Sequence, residues 1–183
     1  MTADAADNDA VILVDADDVQ IGTAGKLDAH QRGLKHRAIS VLVRNAAGAF
    51  LLQQRSPAKY HSGGLWTNAC CSHPRPGEST ADAARRRLSE EMGFACAIEP
   101  LFTFQYKEPV PGDLVENELV HVFGGQHDGP VRPNPDEVSD FKWIGYPELI
   151  ADIGAHPERY TVWFRQYVGQ RSEAVAGWIG RRS

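Results

Sequence analysis

Residues 66–93 read WTNACCSHPRPGESTADAARRRLSEEMG, an extended thiol-bearing segment, a proline-broken turn and a helix in one unbroken run. Pro74 and Pro76 argue against helix around them, so the chain from Trp66 to His73 is read as extended. Residues two apart on an extended backbone share a side, which puts Cys71 and His73 together. A thiolate beside an imidazole or a cation can act as base, nucleophile or ligand. Either residue alone is better explained by packing or by solvent than by chemistry. From Thr80 the period changes. Ala81, Ala84, Leu88 and Met92 recur at helical spacing, Ser79 or Thr80 can cap the start, and Gly93 ends the helix.

Working outward, Val11 to Val14 is a short strand followed by a turn at Asp15 to Asp18. Ala38 to Val43 and Ala49 to Gln54 flank Asn45-Ala46-Ala47-Gly48 and read as a hairpin. Leu101 to Tyr106 and Val115 to Phe123 alternate as strands do, and Glu137 to Ile144 is a further strand. Pro147 to Ile153 and Glu158 to Gly169 read as helices, the second carrying Tyr160, Trp163, Phe164 and Tyr167. The expected architecture is α/β (α+β), a mixed β-sheet sandwiched between helices in a single compact domain over residues 11–180. Residues 1–10 are expected to be a disordered tail. No repeat or long linker divides the chain.

The 183 residues, 42% hydrophobic and 23% charged, suit a soluble globular protein. A net charge of -5 argues against broad electrostatic binding to nucleic acid or to an anionic membrane. No apolar run approaches the roughly 20 residues that span a bilayer. The acidic start MTADAADNDA lacks the features of a signal peptide. Three cysteines, two of them adjacent, make a poor disulfide framework and point to a reducing, cytoplasmic setting.

Two clusters carry chemistry. On the helix, Arg87 and Glu91 are four apart and share a face. As an isolated surface pair they are worth only about 0.3 to 0.5 kcal/mol, but Glu78, Arg86 and Glu90 join them just beyond the Cys71 loop. Helix carboxylates there can hold Mg²⁺ together with phosphate oxygens. On the strand VENELVHVF, period two sets Glu116 and Glu118 on the side of Val120 and Val122. Either that end of the strand lies in solvent, or the two acids are buried and need a metal, a shared proton or cationic partners. His30, His36 and His73 can complete a site for Zn²⁺ or Mn²⁺, although His30 and His36 fall in what reads as a polar loop. Lys26, Arg55, Lys59 and Arg87 stand near element ends and can jointly clamp a diphosphate. Trp66, Phe102, Phe104, Tyr106 and Trp163 read as core aromatics, with Phe102, Phe104 and Tyr106 alternating onto one strand face. An acid, a thiol, a metal and aromatics around an anion clamp suit a small apolar diphosphate ester.

In these motifs, WTNACCSHPRPGES, RRRLSEEMG, VENELVHVF and the late Trp163, the chain resembles the type I isopentenyl diphosphate isomerases, which use a Nudix fold. The resemblance runs from about Val11 to Trp163. The general Nudix signature is Gly, five residues, Glu, seven residues, then Arg-Glu-apolar-any-Glu-Glu-any-Gly-apolar. Against it Ser72 replaces the first Gly, and Glu78, Arg86, Glu90, Glu91, Gly93 and Phe94 fit. Arg87 replaces the Glu of the Arg-Glu pair. That exchange weakens a hydrolase metal cluster and supplies a phosphate-binding cation in its place.

The resemblance implies that Cys71 is the catalytic thiol and Glu118 the catalytic acid, assisted by Tyr106. It implies His30, His36, His73, Glu116 and Glu118 as ligands of a divalent metal, Mn²⁺, Zn²⁺ or Mg²⁺. It implies Glu91, helped by the Cys71 carbonyl, as the holder of a diphosphate-bound Mg²⁺. Lys26, Arg55, Lys59 and Arg87 would bind the anion and Trp163 would face the isoprenoid. Cys70 and Cys96 have no counterpart.

The implied partner is a small isoprenoid diphosphate, with no nucleic acid and no membrane, and with a monomer or a homodimer as the assembly. Moving the double bond adds a proton at C4 and removes one from C2. Glu118 is expected to deliver the first proton and Cys71, as thiolate, to take the second. A Nudix hydrolase of a nucleoside diphosphate derivative and a silent Nudix binding module are the rival readings. Arg87 and the Cys71–His73 pair oppose the first, and the joint presence of Cys71, Glu91, Glu116 and Glu118 opposes the second.

Overall fold

The computed structural model describes residues 9–181. Its centre is the strand β3 (His36–Arg44), whose run of Ala38, Ile39, Val41, Leu42 and Val43 is almost wholly removed from water. A strand apolar on both faces must be covered on both faces. Ile39, Val41 and Val43 pack beneath the helix α2 (Thr80–Met92), together with Ala83, Ala84, Leu88 and Met92. Ala38 and Leu42 face the other way, toward Trp163, Phe164 and Tyr167 near the C-terminus. Burying Leu88 alone contributes about 2 kcal/mol.

Among the described residues nine strands form one mixed sheet around β3. The others are β1 (Ala10–Val14), β2 (Gln20–Gly25), β4 (Phe50–Arg55), β5 (Trp66–Asn68), β6 (Cys70–Ser72), β7 (Ile98–Val110), β8 (Leu114–Gln126) and β9 (Val138–Ile144). β8 runs parallel to β3 along its whole length, from His36 opposite Glu118 to Arg44 opposite Gln126. On the other edge of β3, β6 pairs antiparallel, with Ser40 opposite Cys71. β7 pairs antiparallel with β8, and its Phe104 and Tyr106 enter the core as their alternation predicts.

α2 begins and ends as expected. The Ser79 hydroxyl accepts the Asp82 N–H at the start. Gly93 closes the helix at φ 73°, where a Cβ would come within 2.1 Å of the Arg132 carbonyl oxygen. The remaining helices are α1 (Lys26–Arg32), α3 (Tyr146–Ala155), α4 (Val162–Gln170) and α5 (Ser172–Ile179). The mixed sheet between α2 on one face and α4 and α5 on the other matches the expected class.

Four local expectations need correction. The hairpin is joined only next to its turn, Arg44 opposite Phe50; beyond it β3 pairs with β6 and β8 while β4 turns to β5 and β9. The helix expected over 158–169 is split into a 3-10 turn (Pro157–Arg159) and α4, because Tyr160 is extended and bridges to Trp66. α5 has no counterpart in the sequence reading. It docks Trp178 against Gly124, where a Cβ would lie 2.5 Å from the indole. Finally, Ala10 already pairs with Gly25, so the strand reaches into the expected tail, whose residues 1–8 lie outside the described residues. No helix among those described is long and apolar enough to cross a membrane.

Candidate active site

Cys70 and Cys71 are neighbours on β6 and therefore point to opposite faces. Cys70 is buried in the core beneath α2, whereas Cys71 packs against the cluster on the other side of the sheet and lines a cavity there. Glu116 and Glu118 on β8 line the same cavity and are 3% and 8% exposed, so the solvent reading of that strand fails. Two adjacent buried carboxylates demand compensation.

Imidazoles surround them. His30 and His36 are not in a loop. His30 sits in the last turn of α1, which leans on β8, and His36 opens β3 beside Glu118. His73 follows β6, two residues past Cys71 on the extended chain, as the spacing predicts. His73 Nε2 lies 2.8 Å from Glu118 Oε1 and His36 Nε2 3.5 Å from it. His30 Nε2 lies 3.3 Å from Glu116 Oε2. The other Glu118 oxygen accepts the Tyr106 hydroxyl at 2.8 Å.

The residues fit a divalent metal. Nδ1 of His30 lies 2.6 Å from the Lys26 carbonyl and Nδ1 of His36 lies 2.8 Å from the Leu34 carbonyl. A carbonyl only accepts, so in the neutral rings the proton is on Nδ1 and the Nε2 lone pairs are turned inward. Ligand atoms of His30, His36, His73 and Glu118 lie within 4.8 Å of one another, as do those of His30, His61 and Glu116. Buried His30 Nε2 and Glu116 Oε2 have no hydrogen-bond partner among the described residues. Imidazole with carboxylate is a donor set for Zn²⁺ or Mn²⁺.

Burial pushes His73 down to about 4, against the pull of Glu118, so its ring is neutral at pH 7. Burial opposes ionisation of Glu118, but the His36 and His73 rings beside it outweigh that and hold the carboxyl well below its usual range. The thiol moves the other way. Burial raises Cys71 to about 11, despite hydrogen bonding with Ser40 and Asn68, so it carries its proton at neutral pH. Burial thus works against the expected thiolate.

Asn68 is a part of the site that the sequence reading missed. Its Oδ1 lies 2.9 Å from Cys71 Sγ and also accepts from Tyr167 Oη, while its Nδ2 donates to Ser40 Oγ at 2.9 Å. His61 was missed as well. Its Nε2 lies 3.0 Å from Glu116 Oε1, and nothing in its sequence neighbourhood signals that contact.

Beside this cavity lies a basic cleft lined by Lys26, Lys59, Arg75, Arg86 and Arg87, with Glu137 between Lys59 and Arg87. Lys26, Ser72 and His73 line both spaces, so the two adjoin. Burial lowers the Lys26 pKa; Asp9, which also lines the cleft, opposes this, and Lys59, Arg87 and Arg55 lower it further. Arg55 lines the inner cavity, with its guanidinium 5.2 Å from the Trp163 ring centroid. Trp163 anchors its indole by donating Nε1–H to Thr67 Oγ1 at 3.1 Å. Glu91 lies apart. It lines neither space, and its oxygens take Gln53 Nε2 at 2.9 Å and Arg87 Nη2 at 2.8 Å.

The NUDIX domain family matches residues 34–165. A protein of Deinococcus radiodurans, DR0079, superposes at a TM-score of 0.67 over 80% of this chain and 89% of its own, at 22% identity. The MutT protein of Methanosarcina mazei superposes at 0.64 over 76% and 94%, at 19% identity. These two likenesses carry the fold alone. The chain is a member of the Nudix family. Isopentenyl-diphosphate Delta-isomerase 2 of Aromatoleum aromaticum is 53% identical over 85% of this chain and 82% of its own length. The isopentenyl-diphosphate Delta-isomerase of Burkholderia multivorans is 51% identical over 84% and 88%. Within the Nudix family, then, this chain belongs to the isopentenyl-diphosphate Delta-isomerases and is an isomerase.

Proposed function

We propose that Cys71 and Glu118 carry the two proton transfers by which this isomerase interconverts isopentenyl and dimethylallyl diphosphate. The observation that supports the reading is their placement: they line one cavity from β6 and β8, the strands on either side of β3. A thiol and a carboxylate there hold one proton between them. The protonated member adds its proton to C4, the ionised member removes one from C2, and the two exchange roles in the reverse direction. Tyr106 supports Glu118 by donating to its second oxygen.

The diphosphate occupies the basic cleft, held by Lys26, Lys59 and Arg87, with Arg55 at the boundary of the inner cavity. This places the isoprenoid tail toward Cys71, Glu118 and Trp163. General acid catalysis supplies about 10² to 10⁴ in rate, so an unactivated alkene needs more. An aromatic face adds about 2 kcal/mol or more toward a desolvated carbocation, close to thirtyfold. Trp163 shares its ring with Arg55, and the substrate uses the face that Arg55 leaves.

His30, His36, His73, Glu116 and Glu118 would hold Mn²⁺, Zn²⁺ or Mg²⁺, which supplies fixed positive charge that keeps the two carboxylates ionised and oriented. Glu91, with the Cys71 carbonyl, is the proposed support of a Mg²⁺ that arrives with the diphosphate. Three free cysteines accord with a cytoplasmic location.

Cys71→Ala and Glu118→Gln test the assignment. Each is expected to lose nearly all turnover while still binding isopentenyl diphosphate. A variant that turns over at the wild-type rate overturns it.

A further inference from the structure

We infer that His61 is a positioning residue of the metal site: it donates Nε2–H to one oxygen of Glu116 and so aims the other at the ion. The inference rests on the metal reading above. His61 lies between β4 and β5 and is 6% exposed. Its Nε2 is 3.0 Å from Glu116 Oε1. The opposite oxygen, Oε2, is buried without a hydrogen-bond partner among the described residues, as is His30 Nε2, which it faces at 3.3 Å. With the His30 ring neutral these are two buried acceptors facing each other, which is costly unless something positive lies beside both. Glu116 therefore has one oxygen closed by His61 and one left open beside His30. A donor on Oε1 fixes which oxygen is offered to an ion, the job that partners of metal ligands commonly do.

The surroundings of His61 favour the tautomer this requires. Ser62 Oγ lies 3.2 Å from Nδ1 and can donate its hydroxyl proton there, leaving the ring proton on Nε2. The loop is also held in place. Arg55 donates Nε–H to the Ser62 carbonyl and Nη2–H to the His61 carbonyl, both at 3.2 Å. Ser62 takes a left-handed φ of 52°, and a Cβ on Gly63 would come within 2.9 Å of the Pro57 carbonyl oxygen. The imidazole meets Tyr60 and Trp163 edge-on, at 4.4 and 5.8 Å between centroids. Arg55 thus joins the proposed anion clamp to the loop that presents His61, and Trp163 touches both.

The test is Mn²⁺ binding by the full chain, followed by electron paramagnetic resonance, for wild type, His61→Phe and His61→Gln. Phenylalanine keeps a ring without a donor; glutamine puts an amide N–H where Nε2–H stood. His61→Phe is expected to weaken Mn²⁺ binding about 10- to 100-fold, and His61→Gln to stay close to wild type. Pulsed measurements should count the same number of coordinated imidazoles in wild type and His61→Gln. Thermal melting of each metal-free protein checks that the fold is intact, and His61→Gln carries the comparison if His61→Phe does not fold.

Wild-type affinity in folded His61→Phe overturns the inference. So does equal weakening by both variants, which would mark a packing role, and so does the loss of one imidazole in His61→Gln, which would make His61 a ligand. Failure of the wild type to bind Mn²⁺ removes the metal reading itself, and it is told apart because it involves no variant.

Discussion

Cys71 Sγ lies 2.9 Å from Asn68 Oδ1, the same oxygen that receives the Tyr167 hydroxyl from α4. The Cys71 thiol is therefore tied, through one buried amide, to the helix that covers the cavity. Tyr167→Phe removes one donor to that amide without touching the basic cleft. It should cost about 0.5 to 1.5 kcal/mol of stability, the net worth of one hydrogen bond. Because the thiol loses a neighbour that orients its partner, kcat should fall while KM stays near wild type. Steady-state kinetics beside urea unfolding separate the two effects; a rise in KM with kcat unchanged would place Tyr167 with the anion clamp instead.

Arg87 is pinned among acids. Its guanidinium reaches Glu90 and Glu91 at 2.8 Å and Glu137 at 3.2 Å while lining the basic cleft. Lysine keeps the charge but loses the fork of donors. Arg87→Lys should raise KM for isopentenyl diphosphate about tenfold or more, the effect of losing a charge-assisted hydrogen bond of about 1.5 kcal/mol or more, and should lower kcat far less. An unchanged KM would remove Arg87 from the clamp.

At the start of α2, Arg86 grips Glu78 with two nitrogens, at 2.7 and 2.8 Å, and Glu78 also accepts the Arg75 N–H at 2.9 Å. Arg86 holds this carboxyl below its usual range, with burial opposing and the Arg75 N–H assisting. A depressed carboxylate pKa stabilises the fold above the unfolded value of about 4.3, and that stability is lost as pH falls through the folded pKa. Solvent screening keeps the contribution below about 1 kcal/mol. Glu78→Gln should therefore be less stable than wild type at pH 7, with the gap closing as pH drops below about 4. Urea midpoints across that range check it; a gap that stays constant to low pH would contradict the pairing.

Much of this was legible in the chain itself. The α2 segment announces itself because period, cap and terminating glycine agree from Ser79 to Gly93. β8 was legible because Glu116 and Glu118 break an alternation that Val120 and Val122 continue. His30 was misplaced for a physical reason: α1 has only seven residues, KLDAHQR, without an apolar stripe, and contacts with β8 hold it in place. His36 looked loop-like because its pairing with Glu118 is 82 residues away in sequence and appears only when β3 and β8 lie side by side. The upward push on the Cys71 thiol was hidden too, since it comes from burial by segments distant in sequence. α5 gave no cue because its role, filling the space over Gly124 with Trp178, is defined by a partner strand.

The most direct test of the central claim is to incubate the protein with isopentenyl diphosphate and Mg²⁺ in D₂O and to follow the products by NMR. Two proton transfers through Cys71 and Glu118 predict dimethylallyl diphosphate carrying deuterium at the methyl group formed from C4, with no phosphate released. Release of phosphate, or an isomer free of solvent deuterium, would contradict the account.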